Sequence, residues 1–331
     1  MQLFLDIKQI DESKLEKFIY NHPHGNFFQS IKAFHFFQAV DNYEPVLIVA
    51  MDEERVVGSL IAVIVQEGKG VKGYFSRRCI VWGGPLVKDD DPVIWSMLLE
   101  TLGEMTNKKA IYTEFRNFRD LLSSRSMFEA LGYQFNGHLN YLINIDTVDN
   151  MMSKFKAEKR RQVKKALREG VRIVQANNIE QIRQWYEILK NIYKLKIKKP
   201  LPGFKFFRVF FDSKIGSFQL IEFNKQIIGG SMLPVFGNTI YDWFRCGLDN
   251  EYKKQFPSTI AVWAGLKYAA DNGFDLYDFM GAGKPEENYG VRIFKSQFGG
   301  ELVNFGRFVR INQKRHYLLG KLGMEILKKV K

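Results

Sequence analysis

Alternating apolar and polar positions mark paired strands at two places in the chain. Residues 47–65, LIVAMDEERVVGSLIAVIV, read as two strands about a charged turn. Residues 219–236, QLIEFNKQIIGGSMLPVF, repeat the pattern, with Gly58 and Gly229 in matching positions. Later in each half a helical pattern leads to a short aromatic strand, DPVIWSMLLETLGEMTNKKAIYTEF (91–115) and PSTIAVWAGLKYAADNGFDLYDFM (257–280). Pro92 and Pro257 stand where a first helical turn needs no N–H, and Asp91 has the side chain of a cap. Hairpin, helix and strand thus occur twice, which predicts a duplicated α/β (α+β) unit. HLNYLINID (138–146) reads as the last strand of the first unit, and VRIVQ (171–175) as the first of the second. EGKGVKG (67–73) reads as a hairpin turn.

Between the units lies EKRRQVKKALREG (158–170), six cations against two acids. On a helix Arg161, Lys164, Lys165 and Arg168 share one face, and Phe155, Val163, Ala166 and Leu167 fall opposite. KLKIKKPLPGFK (194–205) adds five lysines in a Pro-broken loop. KRHYLLGKLGMEILKKVK at the far end is a further basic amphipathic helix, expected to dock on the core, with membrane-surface contact as the alternative.

Charge sharpens this division. The net charge is +13. Residues 1–150 hold 15 Lys and Arg against 20 Asp and Glu, or −5, whereas 151–331 hold 34 against 16, or +18. One half is therefore expected to meet a polyanion: nucleic acid, a phosphorylated substrate or an anionic membrane. With 331 residues, 46% of them hydrophobic, there is material for about two packed domains. Cys79 and Cys246 are isolated, the N-terminus lacks an apolar signal region, and no apolar run approaches the ~20 residues of a membrane span. A cytoplasmic protein without an integral membrane segment is expected.

The five histidines have no metal-ligand spacing, and there is neither a P-loop nor a GxSxG elbow, so no metal is expected. The glycine-rich loops WGGP (82–85) and GAGKPEENYG (281–290) are the places where backbone and ligand could approach closely. Asp278 closes the strand before the second loop, either facing a ligand or exposed.

Taken in order, HPHGNFFQS (22–30), RRQVKKALREGVRI, IIGGSM, LYDFMGAG and GVRIFKSQFGGE resemble the FemABX family of non-ribosomal peptidyl transferases, from about residue 20 to about 310. The resemblance implies tandem GNAT-like folds, mixed sheets flanked by helices: residues 1–148, with a C-terminal helix (312–331) packing back on them, and a basic second domain, 149–311. It implies transfer of an amino acid from aminoacyl-tRNA, as co-substrate, to an amine of a phosphorylated peptidoglycan-type precursor, nucleotide- or lipid-linked. No other cofactor is implied. Arg161, Lys164, Lys165 and Arg168 would then hold tRNA phosphates. Phe294 and Lys295 match the pair bordering the donor site; Lys295 and Asp278 are the catalytic candidates, and Phe294, Tyr289 and Gly281 are substrate-binding ones. Lys199 before Pro200 matches a phosphate-binding cation, as Lys rather than Arg. A second phosphate lysine of the family aligns with Phe37, which places the acceptor's identity in question.

An aminoacyl ester is already activated, so placement of the amine and stabilisation of an oxyanion suffice without a triad. The rival enzyme reading is an acyl-CoA-dependent N-acyltransferase acting on an amino sugar or other amine. CoA pyrophosphate is cradled by a glycine-bearing turn before a helix, which VKDDDPV (87–93) and KKQFPST (253–259) lack. A non-catalytic RNA-binding protein is a third reading, resting on the +18 half alone.

Overall fold

The computed structural model describes residues 1–68 and 70–320. The chain folds as two units, one of residues 1–137 with the segment from Phe305 onward, the other His138–Asn304.

In the first unit the strands are β1 (Gln2–Phe4), β2 (Tyr43–Asp52), β3 (Arg55–Val65), β4 (Arg78–Trp82), β5 (Leu86–Val87), β6 (Tyr112–Arg116) and β7 (Gln134–Asn136). The helices are α1 (Glu12–Asn21), α2 (Ile31–Ala39), α3 (Gly70–Phe75), α4 (Pro92–Thr106) and α5 (Arg125–Ala130). The second unit runs through β8 (Asn140–Asn144), α6 (Val148–Lys154), α7 (Ala157–Arg168), β9 (Arg172–Gln175), α8 (Ile179–Ile192), α9 (Phe204–Ser213) and the hairpin β10 (Gly216–Phe223)/β11 (Gln226–Phe236). It continues with β12 (Thr239–Tyr241), β13 (Phe244–Gly247), α10 (Pro257–Asp271), β14 (Leu276–Asp278), α11 (Gly290–Lys295) and β15 (Glu301–Val303). The chain then returns to the first unit as β16 (Arg307–Ile311).

The first sheet has the order β1-β2-β3-β4-β6-β16-β7, the second β15-β8-β14-β12-β11-β10-β9. Each is mixed: β4 runs parallel to β6, and β12 to β14, with the other pairings antiparallel. The repeat extends to a local irregularity. The pairing slips between Ala50 and Met51 in one hairpin and between Ile221 and Glu222 in the other, so the bulge adjoins Gly58 and Gly229 respectively. A Cβ on Gly58 would lie 2.6 Å from the Ile94 side chain, and one on Gly229 2.7 Å from the Cys246 carbonyl. Gly58 thus admits close approach by helix α4, and Gly229 by the neighbouring strand β13.

The boundary differs from the expected 148/149 division. β8 pairs with β14 and β15, so HLNYLINID opens the second sheet instead of ending the first. β16 pairs with β6 and β7, so residues 307–311 belong to the first sheet. Apolar alternation marks these segments as strands but carries no information about which sheet a strand joins. EGKGVKG is likewise not a tight hairpin turn, since α3 begins within it. Residues 314–320 are helical, with His316 against Tyr74 (ring centroids 5.4 Å apart) and Tyr317 against Tyr112 (6.1 Å). The remainder of the expected 312–331 helix lies outside the described residues.

The first core sets Trp95, Leu98, Leu99 and Leu102 of α4 against Ile48, Leu60, Val81 and Phe115 of the sheet. Phe308 of β16 stacks on Phe128 of α5 at 4.0 Å. In the second, Ile260, Trp263 and Leu266 of α10 and Val163 and Ala166 of α7 bury with Ile228, Ile240 and Tyr277. Trp185 of α8 meets Phe207 of α9 and Phe218 of β10 edge-on. Each fully buried Val, Leu, Ile or Phe among these contributes about 1.5–3 kcal/mol of transfer free energy.

Candidate active site

β14 ends at Asp278, and the chain leaves it as FMGAG with Met280 at φ 59° and Gly281 at φ 118°. This left-handed turn aims two carbonyls, of Phe279 and Gly281, at one point. Lys295, last residue of α11, fills that point, donating from Nζ to Phe279 O at 2.7 Å and to Gly281 O at 2.6 Å. Its side chain is buried, with 7% of the residue exposed. Asp278 is buried too, and its Oδ1 accepts from Asn140 Nδ2 (2.7 Å) and from the Met280 N–H (2.6 Å). Asn140 in turn accepts from the Gly281 N–H at 2.6 Å. The carboxylate therefore fixes the turn whose carbonyls hold the amine.

Electrostatics at this point favour neutral forms. Burial, then the positive charge of Arg245, pushes the Lys295 amine down to about 7, against the opposing pull of Asp242 and Asp278. Burial raises the Asp278 carboxyl, although hydrogen bonds from Asn140 and Met280 and the charge of Lys295 work downward. Arg245 forms an ion pair with Asp242, which is almost wholly buried. Neither residue of that pair stood out in the sequence; the i, i+3 spacing of acid and arginine in DWFR was the available signal.

Of the expected site residues, the fold gathers five. Lys295, Asp278 and Gly281 share the turn, Phe294 packs on Phe298 (5.1 Å) beside it, and the Tyr289 ring lies against Gly283, where a Cβ would come within 2.6 Å. Arg292 of α11 ties the glycine loop down, donating to the carbonyls of Lys284 (2.8 Å), Pro285 (3.1 Å) and Glu287. Lys199 is exposed on the loop that follows residues 193–197. Phe37 is fully buried, its ring parallel to that of Trp82.

On α7, Arg161, Lys164 and Arg168 are exposed and Lys165 is half-buried beside Glu169. The helix differs from the expected amphipathic split in two ways. Leu167 is 40% exposed, while Lys159 is buried along the line of Phe155, Val163 and Ala166. Its Nζ donates to Gln162 Oε1 (3.0 Å) and Thr259 Oγ1 (3.2 Å) and stands 4.9 Å from the Phe294 ring centre. A lysine at i+4 on an apolar stripe was the visible sign of this inward turn.

Two further features bear on ligands. The N-terminus of α4 is capped by Asp91, accepting from Val93 N (2.8 Å) and Ile94 N (3.4 Å). That of α10 is met by Asp249, accepting from Ser258 N (3.0 Å) and Ser258 Oγ. Both helix starts already hold a carboxylate. In the first unit a cavity of about 550 Å³ is lined by cations (Lys14, Lys17, Arg55 and Lys88), carboxylates (Glu54, Asp89 and Asp90), and His22 and His24 among others. His22 Nδ1 accepts from the His24 N–H at 3.1 Å, which leaves its Nε2 to donate to Val87 O at 3.0 Å. Among the described residues no cluster of His, Cys, Asp or Glu suits a metal ion, and no helix is long and apolar enough to cross a membrane.

Residues 153–289 match the acetyltransferase (GNAT) domain family. The structure of FemX superimposes with a TM-score of 0.74 at 16% identity, covering 96% of this chain and 99% of FemX. The fold is Fem-like. The same tandem GNAT architecture is shared by L-PGS from Bacillus licheniformis (TM-score 0.58, 11% identity, 96% of this chain and 97% of that one). It also occurs in a tandem GNAT protein from the clavulanic acid biosynthesis pathway (0.58, 11%, 94% and 99%). No curated protein matches the sequence. The tandem architecture agrees with the repeat within this chain: a bulge in each hairpin, a parallel strand pair in each sheet, and helices α4 and α10 at corresponding points of the two units.

Proposed function

We propose that the chain is a Fem-like aminoacyltransferase that moves an amino acid from aminoacyl-tRNA to an amine of a peptidoglycan precursor or related cell-envelope glycoconjugate. The observation that carries this reading is the buried Lys295 amine, held by two backbone carbonyls at the end of β14. In aminolysis the acceptor nitrogen bonds to the ester carbonyl carbon, the carbon–oxygen bond to ribose breaks, and one proton passes from the amine to the ribose oxygen. Two of the three ammonium protons of Lys295 are engaged; the third has no partner among the described residues and is suited to the oxyanion or the departing ribose oxygen. Asp278 acts through the turn it fixes. Phe294, Tyr289 and Gly281 border the same place and would form its walls.

The exposed Arg161, Lys164 and Arg168 of α7, with the half-buried Lys165, suit the tRNA backbone. Lys199 suits a phosphorylated acceptor, nucleotide- or lipid-linked. The reaction would run in the cytoplasm, with peripheral membrane contact for a lipid-linked acceptor.

The CoA-dependent alternative has less support. A helix N-terminus that binds pyrophosphate offers unoccupied N–H groups; at α4 Asp91 takes those of Val93 and Ile94, at α10 Asp249 takes that of Ser258, and each adds negative charge. The test is to incubate the protein with charged tRNA or with acyl-CoA and a panel of amine acceptors, reading products by mass spectrometry. Product from charged tRNA alone upholds the proposal; product from acyl-CoA alone replaces it with the alternative, and RNA binding with neither product leaves the non-catalytic reading.

A further inference from the structure

Cations and aromatic rings alternate through the second unit. Lys159 Nζ lies 4.9 Å from the Phe294 ring centre, and the Arg245 guanidinium carbon lies 5.4 Å from that ring and 5.6 Å from the Phe279 ring. Lys295 Nζ then stands 5.3 Å from Phe279. Three positive groups are thus held in series by two ring faces, from α7 to the buried amine. Their anionic company is Asp242, already paired with Arg245, and Asp278, already hydrogen-bonded to Asn140 and Met280. The Tyr277 hydroxyl is buried beside Asp242, and the His138 ring stands near Gly281. A guanidinium cannot be deprotonated in a protein, so Arg245 is a fixed positive charge that the ion pair and the rings hold in place.

We propose that Arg245 is a positioning residue for Lys295, its fixed positive charge held against the same Phe279 ring as the buried amine, with its ion-pair partner Asp242 as the opposing control. The two members of one ion pair then act on Lys295 with opposite sign. That distinguishes the arrangement from a merely structural ion pair, whose loss from either side would loosen the site in the same way. The direction agrees with the influence of each group on Lys295: Arg245 disfavours the ammonium, and Asp242 favours it. The inference gives the amine of the proposed function its control, yet it can be tested on the protein without substrate.

The experiment follows the ¹³Cε resonance of Lys295 against pH in the full-length protein labelled with ¹³C-lysine, assigned by its loss in Lys295→Met. Arg245→Met is expected to raise the titration midpoint by roughly one unit or more, as removal of a nearby like charge does. Asp242→Asn is expected to lower it, and Arg245→Lys to leave it near the wild-type value. An unchanged midpoint in Arg245→Met, or movement of both variants in one direction, overturns the proposal. Should Arg245→Met fail to fold, Asp242→Asn decides alone: a lower midpoint supports the inference, and an unchanged or higher one sinks it. Absence of aminoacyl transfer alongside opposite shifts would defeat the proposed function and leave this inference standing.

Discussion

The Lys295 side-chain nitrogen stands 2.6 Å from the carbonyl oxygen of Gly281, a residue whose φ of 118° lies outside the range natural to a side-chain-bearing residue. Amine position and turn geometry are therefore one property of the site. The turn holds the amine, and Asp278 and Asn140 hold the turn.

Replacing Lys295 by Met should lower aminoacyl transfer at least ~100-fold, the loss typical of removing one oxyanion donor. The wild-type pH profile should carry an alkaline limb near 7, because the amine sits at about 7 and the donor form is the protonated one. Lys295→Arg keeps the charge at every accessible pH and should lose that limb whatever rate remains. Steady-state rates from pH 5.5 to 9 check both; unchanged turnover in Lys295→Met removes the assignment.

The same group makes stability depend on pH with a defined sign. In the unfolded chain Lys295 titrates near 10.5, and in the folded one at about 7, so between these values the unfolded state binds more protons. Stability therefore rises with pH across that window, by about 1.4 kcal/mol per unit. Below 7 the ammonium is buried in the folded state and its cost is fully present. Urea unfolding at pH 6, 7, 8 and 9 should show wild type gaining on Lys295→Met above 7 and running parallel to it below. A constant difference across the series would mean that the amine titrates as if exposed.

How much of this was legible in the sequence varies with the range of the interaction. The two hairpins, the helix starts at Pro92 and Pro257 and the Asp91 cap follow from local pattern, and the structure has them. Assignment of residues 140–144 and 307–311 to their sheets depends on which edge was available, and no local signal encodes that. At the site, Asp278 stands out beside the glycine loop, and Lys295 only through the family resemblance. Arg245, Asp242 and Lys159 did not, because they join it through rings and charges more than thirty residues away in sequence.

Glu114 of β6 joins Arg116 of its own strand (3.0 Å) to Arg307 of β16 (2.5 Å) in a largely buried triad. Burial works upward on this carboxyl, but the two guanidiniums outweigh it and hold the group down to about 2. Its contribution, about 3 kcal/mol, is complete above pH 4.5 and is lost as pH falls toward 2. Glu114→Gln leaves two guanidiniums partly buried without their counter-charge and should cost about 3–5 kcal/mol at neutral pH. It should also flatten the acid limb of the stability curve. Thermal unfolding between pH 3 and 7 checks this; an unaltered acid limb would show that other carboxylates govern it.

On α7, inward and outward cations are expected to have separate duties. Arg161, Lys164 and Arg168 are exposed, whereas Lys159 is fastened to Gln162 and Thr259. Changing the three exposed residues to Gln should weaken tRNA binding while leaving the fold intact, since none of them packs in the core. A phosphate contact of this kind releases condensed counterions, so the dependence of log affinity on log salt should become shallower by about 2 to 3 if all three reach phosphates. Loss of affinity should be equal for tRNAs of different sequence, because backbone contacts carry no base information. Lys159→Met should instead disturb Phe294 and reduce transfer without changing the salt slope. Filter binding across a salt series, run beside turnover, separates the two. An unchanged slope in the triple variant would move the RNA surface off this helix, and a changed slope in Lys159→Met would return that lysine to the nucleic-acid face.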